Sequence, residues 1–207
     1  MSDYKDYGYT TEQYNHIHKY LMSPLLKILE SKKDRKILDI GCGNGWLAND
    51  LIERDFDAYG TDASPSGIEI ARKKNKDRFF IQDLTKDDLP EELNGIKFNT
   101  IISTEVIEHL YSPRSYFEFC KRVLQKSGGG ELIVSTPYHG YMKNVALSLS
   151  GHMDKHFTVL WDGGHIKFWS RKTLSKVLIE RGFVDPKFTG CGRLPYLWKS
   201  MIMTSSV

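Results

Sequence analysis

The chain has 207 residues, 40% of them apolar and 27% charged, with 29 Lys+Arg against 26 Asp+Glu. This balance excludes disordered, collagen-like and coiled-coil classes, and a chain of this size buries roughly 70% of its unfolded surface, enough for one core over residues 1–207. No apolar run reaches the ~18 residues of a membrane span, and Met1 to Lys5 lack a signal-peptide pattern. Cys42, Cys120 and Cys191 are too few and too widely spaced for a disulfide framework or zinc knuckle. A soluble, cytoplasmic protein is the expectation. Charge is unevenly spread: residues 1–104 carry 15 basic and 18 acidic side chains, residues 105–207 carry 14 and 8. A basic second half suits an anionic partner or a merely solvated face.

The N-terminal stretch, residues 1–34, is rich in tyrosine (Tyr4, Tyr7, Tyr9, Tyr14, Tyr20), and Thr10 with Gln13 suggests a capping box for a helix running to about Ser31. Lys36 to Ile40 reads as a buried strand, Gly41 to Gly45 as a tight turn, and Trp46 to Arg54 as a helix from its apolar spacing. A short strand over Ala58 to Thr61 ends at Asp62. Ser64 and Pro65 then supply a cap and first-turn proline for a helix through Lys74. Phe79 to Ile81 and Thr100 to Ser103 are predicted strands. Ser112-Pro113 opens a helix to about Leu124, and Glu131 to Ser135 is a further strand. Arg171 to Arg181 is a helix closed by Gly182, followed by strands over Phe183 to Thr189 and Lys199 to Thr204. Such alternation means an α/β, mostly parallel sheet covered on both faces. Residues 137–169 interrupt the rhythm and read as a cap or substrate insertion.

Strand, glycine turn, helix and Asp62 together point to a nucleoside ligand. Gly41, Gly43 and Gly45 allow close backbone approach, the helix start offers free N–H groups, and Asp62 ends the next strand, where a carboxylate can accept from a ribose diol. The spacing is G-x-G-x-G rather than the dinucleotide G-x-G-x-x-G. The string Ile37 to Gly45 resembles motif I of class I S-adenosylmethionine-dependent methyltransferases. Gly60-Thr-Asp62, Gln82-Asp83-Leu84 and Phe98 to Ile102 follow in the family's order. The resemblance implies a Rossmann-like seven-stranded sheet whose last strand is antiparallel. It also implies a cofactor site built from Asp39, Gly41, Cys42, Gly43 and Gly45 at the methionine end, Asp62 and Ala63 at the ribose, Asp83 and Leu84 at the adenine, and Thr104 and Glu105 nearby.

A second constellation, Thr104-Glu-Val-Ile-Glu-His-Leu110, follows the fourth strand. In a first helical turn Glu105, Glu108 and His109 would share one face. Two carboxylates and an imidazole suit Mg²⁺ or Mn²⁺, with His165 as a fourth ligand; alternatively Glu108, His109 and His165 do metal-free acid–base work, or are structural. The segment Glu105 to His109 with Gly164 to Phe168 resembles ubiquinone-biosynthesis O-methyltransferases. The same glutamates and histidines, with Leu132 to Pro137, also resemble small-RNA 3′-end 2′-O-methyltransferases, which implies Glu105, Glu108, His109 and His165 as Mg²⁺ ligands. A small-molecule hydroxyl (phenol, catechol or quinone precursor) is the expected methyl acceptor. RNA and a non-catalytic cofactor-binding module are the alternatives. The insertion reads as a capping lid, a peripheral membrane contact or a partner interface, with His139, His152 and His156 expected on the surface or lid.

Overall fold

The computed structural model describes residues 8–11, 18–30, 34–84, 88–157, 160 and 163–207. Tyr4, Tyr7, Gln13, Tyr14, Ser31 and Trp161 lie outside these residues, so the expected Thr10–Gln13 box and the N-terminal end of the first helix do too. Seven strands form one sheet: β1 (Lys36–Ile40), β2 (Asp57–Asp62), β3 (Phe79–Ile81), β4 (Thr100–Thr104), β5 (Glu131–Pro137), β6 (Val184–Cys191) and β7 (Ser200–Ser206), in the spatial order β3-β2-β1-β4-β5-β7-β6. The pairs β1–β2, β1–β4, β2–β3 and β4–β5 are parallel. β7 runs antiparallel to both β5 and β6. The helices are α1 (His18–Leu29), α2 (Trp46–Glu53), α3 (Pro65–Arg72), α4 (Pro113–Gln125), α5 (Tyr141–Leu149), α6 (Met153–Phe157) and α7 (Arg171–Glu180).

Alternation along each strand divides the core into two layers. Leu38, Ile101, Leu132 and Met203 face α4 and α7, meeting Phe117, Cys120, Leu124, Leu174 and Leu178. Ile37, Ile102, Ile133 and Ile202 face the other side, against Leu21, Leu25 and Leu29 of α1 and Leu47 and Leu51 of α2. Both faces are therefore buried, which is why these strands read as unbroken apolar runs. Helix ends follow the local chemistry. The Ser64 hydroxyl accepts from the Gly67 N–H with Pro65 in the first turn of α3, and Ser170 with Thr173 forms a capping box on α7.

The parallel pairing brings the carboxyl ends of β1, β2, β3, β4 and β5 to one edge. β7 runs the other way, so its first residue, Ser200, pairs with Pro137 and reaches the same edge. The insertion between β5 and α7, carrying α5 and α6, lies there too.

Candidate active site

The loop after β1 is tied to the end of β2. Gly41 and Cys42 N–H groups donate to the Thr61 carbonyl at 2.8 and 3.0 Å. The Gly43 N–H donates to Asp62 Oδ2 at 2.8 Å, and Ser64 N–H to Asp62 Oδ1 at 2.8 Å. Gly41 has φ 77° and packs under Val106, while Gly43 has φ 55° and a Cβ there would lie 2.6 Å from the Tyr9 hydroxyl. Both positions require glycine, by backbone sign and by space. The Cys42 side chain turns into a small apolar cluster with Ala48, Ile68, Ala71 and Phe79, so its backbone faces the loop. Ala63 links Asp62 to the cap of α3. Asp83 and Leu84 follow β3 at the same edge, held by the Gln82 N–H donating to the Asp62 carbonyl at 2.8 Å.

Asp39 is fully buried, and neither of its carboxylate oxygens has a hydrogen-bond partner among the described residues. Burial, and then the charge of Asp62, pushes its pKa up to about 8. An unpaired buried carboxyl beneath a glycine loop fits a ligand that brings positive charge. S-adenosylmethionine, with its ammonium and sulfonium, is such a ligand.

Beyond β4 the chain departs from the expected helical turn. Glu105 takes a left-handed conformation, φ 56°, and a 3₁₀ turn covers Ile107–His109. The reversal separates Glu105 from Glu108 and His109 instead of stacking all three. The Glu105 N–H donates to the Ser135 carbonyl at 3.1 Å. Its Oε1 accepts from the Ser135 and Ser200 hydroxyls, both at 2.7 Å. Two serines from β5 and β7 thus hold the side chain that spacing and resemblance had assigned to the metal set. Thr104, at the end of β4, leads into this reversal.

Glu108 is 1% exposed; its Oε2 accepts from Thr136 Oγ1 at 3.1 Å, while Oε1 has no hydrogen-bond partner among the described residues. Its carbonyl accepts from the N–H groups of Ile166 and Lys167 at 2.9 and 3.0 Å, which docks the 163–168 segment. That docking brings His165 to His109, with ring centroids 5.0 Å apart and planes at 71°. His109 Nδ1 lies 3.3 Å from the Gly164 carbonyl, an acceptor, so Nδ1 carries the proton and Nε2 is the unprotonated ring nitrogen. Nε2 is 3.9 Å from Glu108 Oε1. The ligand atoms of Glu108, His109 and His165 lie within 4.8 Å of one another. His165 Nδ1 is buried with no hydrogen-bond partner among the described residues. Burial, then the charge of Glu105, raises the Glu108 pKa; burial lowers that of His109. Burial and then His109 bring His165 down to about 4. Both imidazoles are therefore neutral near pH 7, the form that binds a cation or accepts a proton.

The insertion separates the two places expected for its histidines, surface and lid. His139 is not on the surface but 7% exposed. Its N–H donates to the Trp169 carbonyl at 2.9 Å, and its ring lies among His156, Phe157 and Phe168. His156 is half-buried in the same ring cluster, whereas His152 is exposed as expected. The cause is tertiary: residues leaving β5 dive beneath α6 and the 163–168 segment. Sequence reasoning also missed Ser135, Thr136, Ser200 and Lys143. The first two carried a signal, being polar residues at the carboxyl end of an apolar strand; Ser200 and Lys143 carried none.

Comparison with known proteins places this geometry in a family. The family description "Methyltransferase domain" matches residues 14–185. A ubiquinone biosynthesis O-methyltransferase of Dinoroseobacter shibae is 30% identical over 164 residues, 75% of this chain and 63% of that protein. Its counterpart in Roseobacter denitrificans is 33% identical over 122 residues, 58% of this chain and 46% of that one. The chain thus spans about half the length of the curated relatives it matches. Among solved structures, magnesium protoporphyrin IX methyltransferase from Synechocystis PCC 6803, with bound SAH, superposes with a TM-score of 0.65 at 20% identity, covering 96% of this chain and 90% of that one. The methyltransferase domain of bacterial CtHen1 superposes at 0.66 with 22% identity, covering 93% and 100%; both likenesses speak to the fold. No helix among the described residues is long and apolar enough to cross a membrane. Glycine cradle, acidic β2 terminus, sheet order and family match agree: the chain belongs to the class I S-adenosylmethionine-dependent methyltransferases.

Proposed function

We propose that this chain transfers the methyl group of S-adenosylmethionine to a hydroxyl oxygen of a small molecule, a phenol, catechol or quinone precursor. The observation that carries the reading is the Glu108–His109–His165 group, a buried carboxylate and two neutral imidazoles past β4, at the edge where the cofactor loop also ends. The name shared by the matched relatives supports oxygen as the acceptor atom.

The cofactor supplies an electrophilic methyl, so the protein's work is binding, orientation and proton removal. In this reading Asp62 accepts from a ribose diol, Asp39 faces the cationic methionine end, and Asp83 and Leu84 border the adenine. Glu105, clamped by Ser135 and Ser200, forms a rigid wall between cradle and acceptor. His109 Nε2, oriented through Nδ1–H and the Gly164 carbonyl, takes the acceptor's proton. The three ligand atoms also fit Mg²⁺ or Mn²⁺, which would lower the hydroxyl's pKa; Glu108, His109 and His165 would hold it, with Glu105 outside.

The test is transfer of radiolabelled methyl to catechol and to a short RNA, with and without EDTA, beside calorimetric Mn²⁺ titration of the wild type and Glu108→Gln. Labelled catechol supports the reading. Labelled RNA with unlabelled catechol moves the chain to the nucleic-acid class, and cofactor binding with no transfer to either marks a binding module. Mn²⁺ binding lost in Glu108→Gln assigns the cation; no heat in the wild type removes it.

A further inference from the structure

Residues 8–11, part of the tyrosine-rich N-terminal stretch, run along the outside of the cofactor loops and are tied to both. The Tyr9 N–H donates to Ser66 Oγ in the first turn of α3 at 3.0 Å. The Thr11 carbonyl accepts from Asn44 Nδ2, in the glycine loop, at 2.9 Å. Between these two anchors the half-buried Tyr9 side chain lies on two glycines. A Cβ at Gly43 would stand 2.6 Å from its hydroxyl, and one at Gly67 would stand 3.0 Å from its Cδ2. Glycine inside a helix weakens it, so Gly67 in α3 asks for a tertiary reason. The Gly43 carbonyl, 2.6 Å from a Cβ at 67, and the Tyr9 ring together supply one.

Asp62 lies at the seam that Tyr9 spans. Its two oxygens accept from the Gly43 and Ser64 N–H groups, so the carboxylate is aimed by the loop on either side of it. Ser66 Oγ, the acceptor for Tyr9, is 3.1 Å from Ser64 Oγ. That hydroxyl in turn accepts from the Gly67 N–H at 3.0 Å. A continuous set of contacts therefore runs from Tyr9 through Ser66 and Ser64 to the turn that holds Asp62. Gly8, Thr10 and Thr11 are exposed. These residues bury little apolar surface, and their ties fall on the loops rather than on the core.

We propose that Tyr9 is a cofactor-positioning residue: with Ser66 and Asn44 it clasps the glycine loop to the start of α3, and so fixes the Gly43 amide and the Asp62 carboxylate against which the ribose of S-adenosylmethionine binds. The clasp governs how tightly the cofactor is held and how fast S-adenosylhomocysteine leaves. It concerns no acceptor, and so goes beyond the hydroxyl reading above. The ring acts by packing on glycine, and its hydroxyl is dispensable. Without the clasp, the ordering of two loops counts against binding. Each hydrogen bond is worth ~2- to 10-fold, which sets the scale of the effect at ~10-fold.

The experiment is calorimetric titration of S-adenosylhomocysteine into the full chain, with stopped-flow measurement of its dissociation, for the wild type, Tyr9→Ala, Tyr9→Phe and Ser66→Ala. Tyr9→Ala should bind ~10-fold more weakly, mostly through faster dissociation, while the cofactor-free protein keeps its melting temperature. Tyr9→Phe should stay within ~2-fold of the wild type, and Ser66→Ala should fall between the two. A folded Tyr9→Ala that binds and releases the ligand like the wild type overturns the proposal. So does a Tyr9→Phe as weak as Tyr9→Ala, because the phenol would then reach the ligand itself. Where Tyr9→Ala does not fold, hydrogen exchange of the wild type decides. The ligand should slow exchange of the Tyr9 amide together with that of Gly43, and a Tyr9 amide indifferent to it removes the clasp. Methyl transfer is no part of the readout, so an unlabelled catechol would count against the O-methyl reading alone.

Discussion

Replacing Asp39 with asparagine separates what the cofactor-free fold tolerates from what the cofactor needs. The carboxyl is fully buried with neither oxygen hydrogen-bonded among the described residues, and its pKa is pushed from 3.8 up to about 8 by burial and then by Asp62. A raised folded-state value means that its contribution to stability is complete below pH 3.8 and is lost progressively as pH rises through about 8. At pH 7 the unfolded chain ionises this group and the folded chain does not. At 1.36 kcal/mol per pH unit, this disfavours the native state by up to about 4 kcal/mol. Asparagine mimics the neutral acid and cannot ionise, so Asp39→Asn should raise the melting temperature of the cofactor-free protein by on the order of 10 °C at pH 7. The gain should shrink towards zero near pH 4. Conversely, cofactor affinity should fall ~10- to 100-fold, the worth of one charge-assisted contact. Differential scanning fluorimetry of both proteins from pH 4 to 8, with calorimetric titration of S-adenosylmethionine, measures each effect. A variant whose melting temperature tracks the wild type at every pH would refute the burial argument. Unchanged cofactor affinity would remove Asp39 from the site.

Asp62→Ala should weaken cofactor binding in the same titration, because it removes the acceptor for the Gly43 and Ser64 N–H groups as well as the proposed ribose contact. His109→Ala should keep cofactor affinity while losing ~10²- to 10⁴-fold in turnover; loss of cofactor binding in that variant would contradict its role. Phe117, fully buried between α4 and the sheet, should cost about 3–5 kcal/mol on truncation to alanine, seen as a lower urea midpoint at unchanged slope. His139 and His156, with pKa values brought down to about 3 and about 4 by burial and then by Lys143, contribute stability that is present above pH 6.5 and lost as pH falls through those values. His139→Gln should therefore flatten the acid side of the melting profile, and an unaltered acid limb would place the ring in solvent.

Much of the fold was legible because its strands are buried on both faces and its helices begin at chemical punctuation. Leu38, Ile101 and Val134 sit in runs too short and too β-branched for helices, and Ser64-Pro65 marks a helix start without any tertiary help. Gly41 to Gly45 followed by Asp62 was legible as a ligand loop because backbone conformation there depends on missing side chains, a local property. The 105–109 segment was not. Its i, i+3, i+4 spacing satisfies a helical face, yet Ser135 and Ser200, 30 and 95 residues away, hold Glu105 in a left-handed turn.

The sequence by itself thus determined the alternation of strands and helices, the glycine cradle and the kinds of residue beyond β4, since periodicity, turn chemistry and capping act over a few residues. Only the tertiary structure decided which of those residues meet. It took the docking of residues 163–168 on the Glu108 carbonyl to join His165 to His109, and the reversed direction of β7 to bring Ser200 to the active edge. The fold of the insertion over β5 enclosed His139 and Lys143. Contacts across such separations depend on sheet order and strand direction, which the spacing of residues along the chain does not encode.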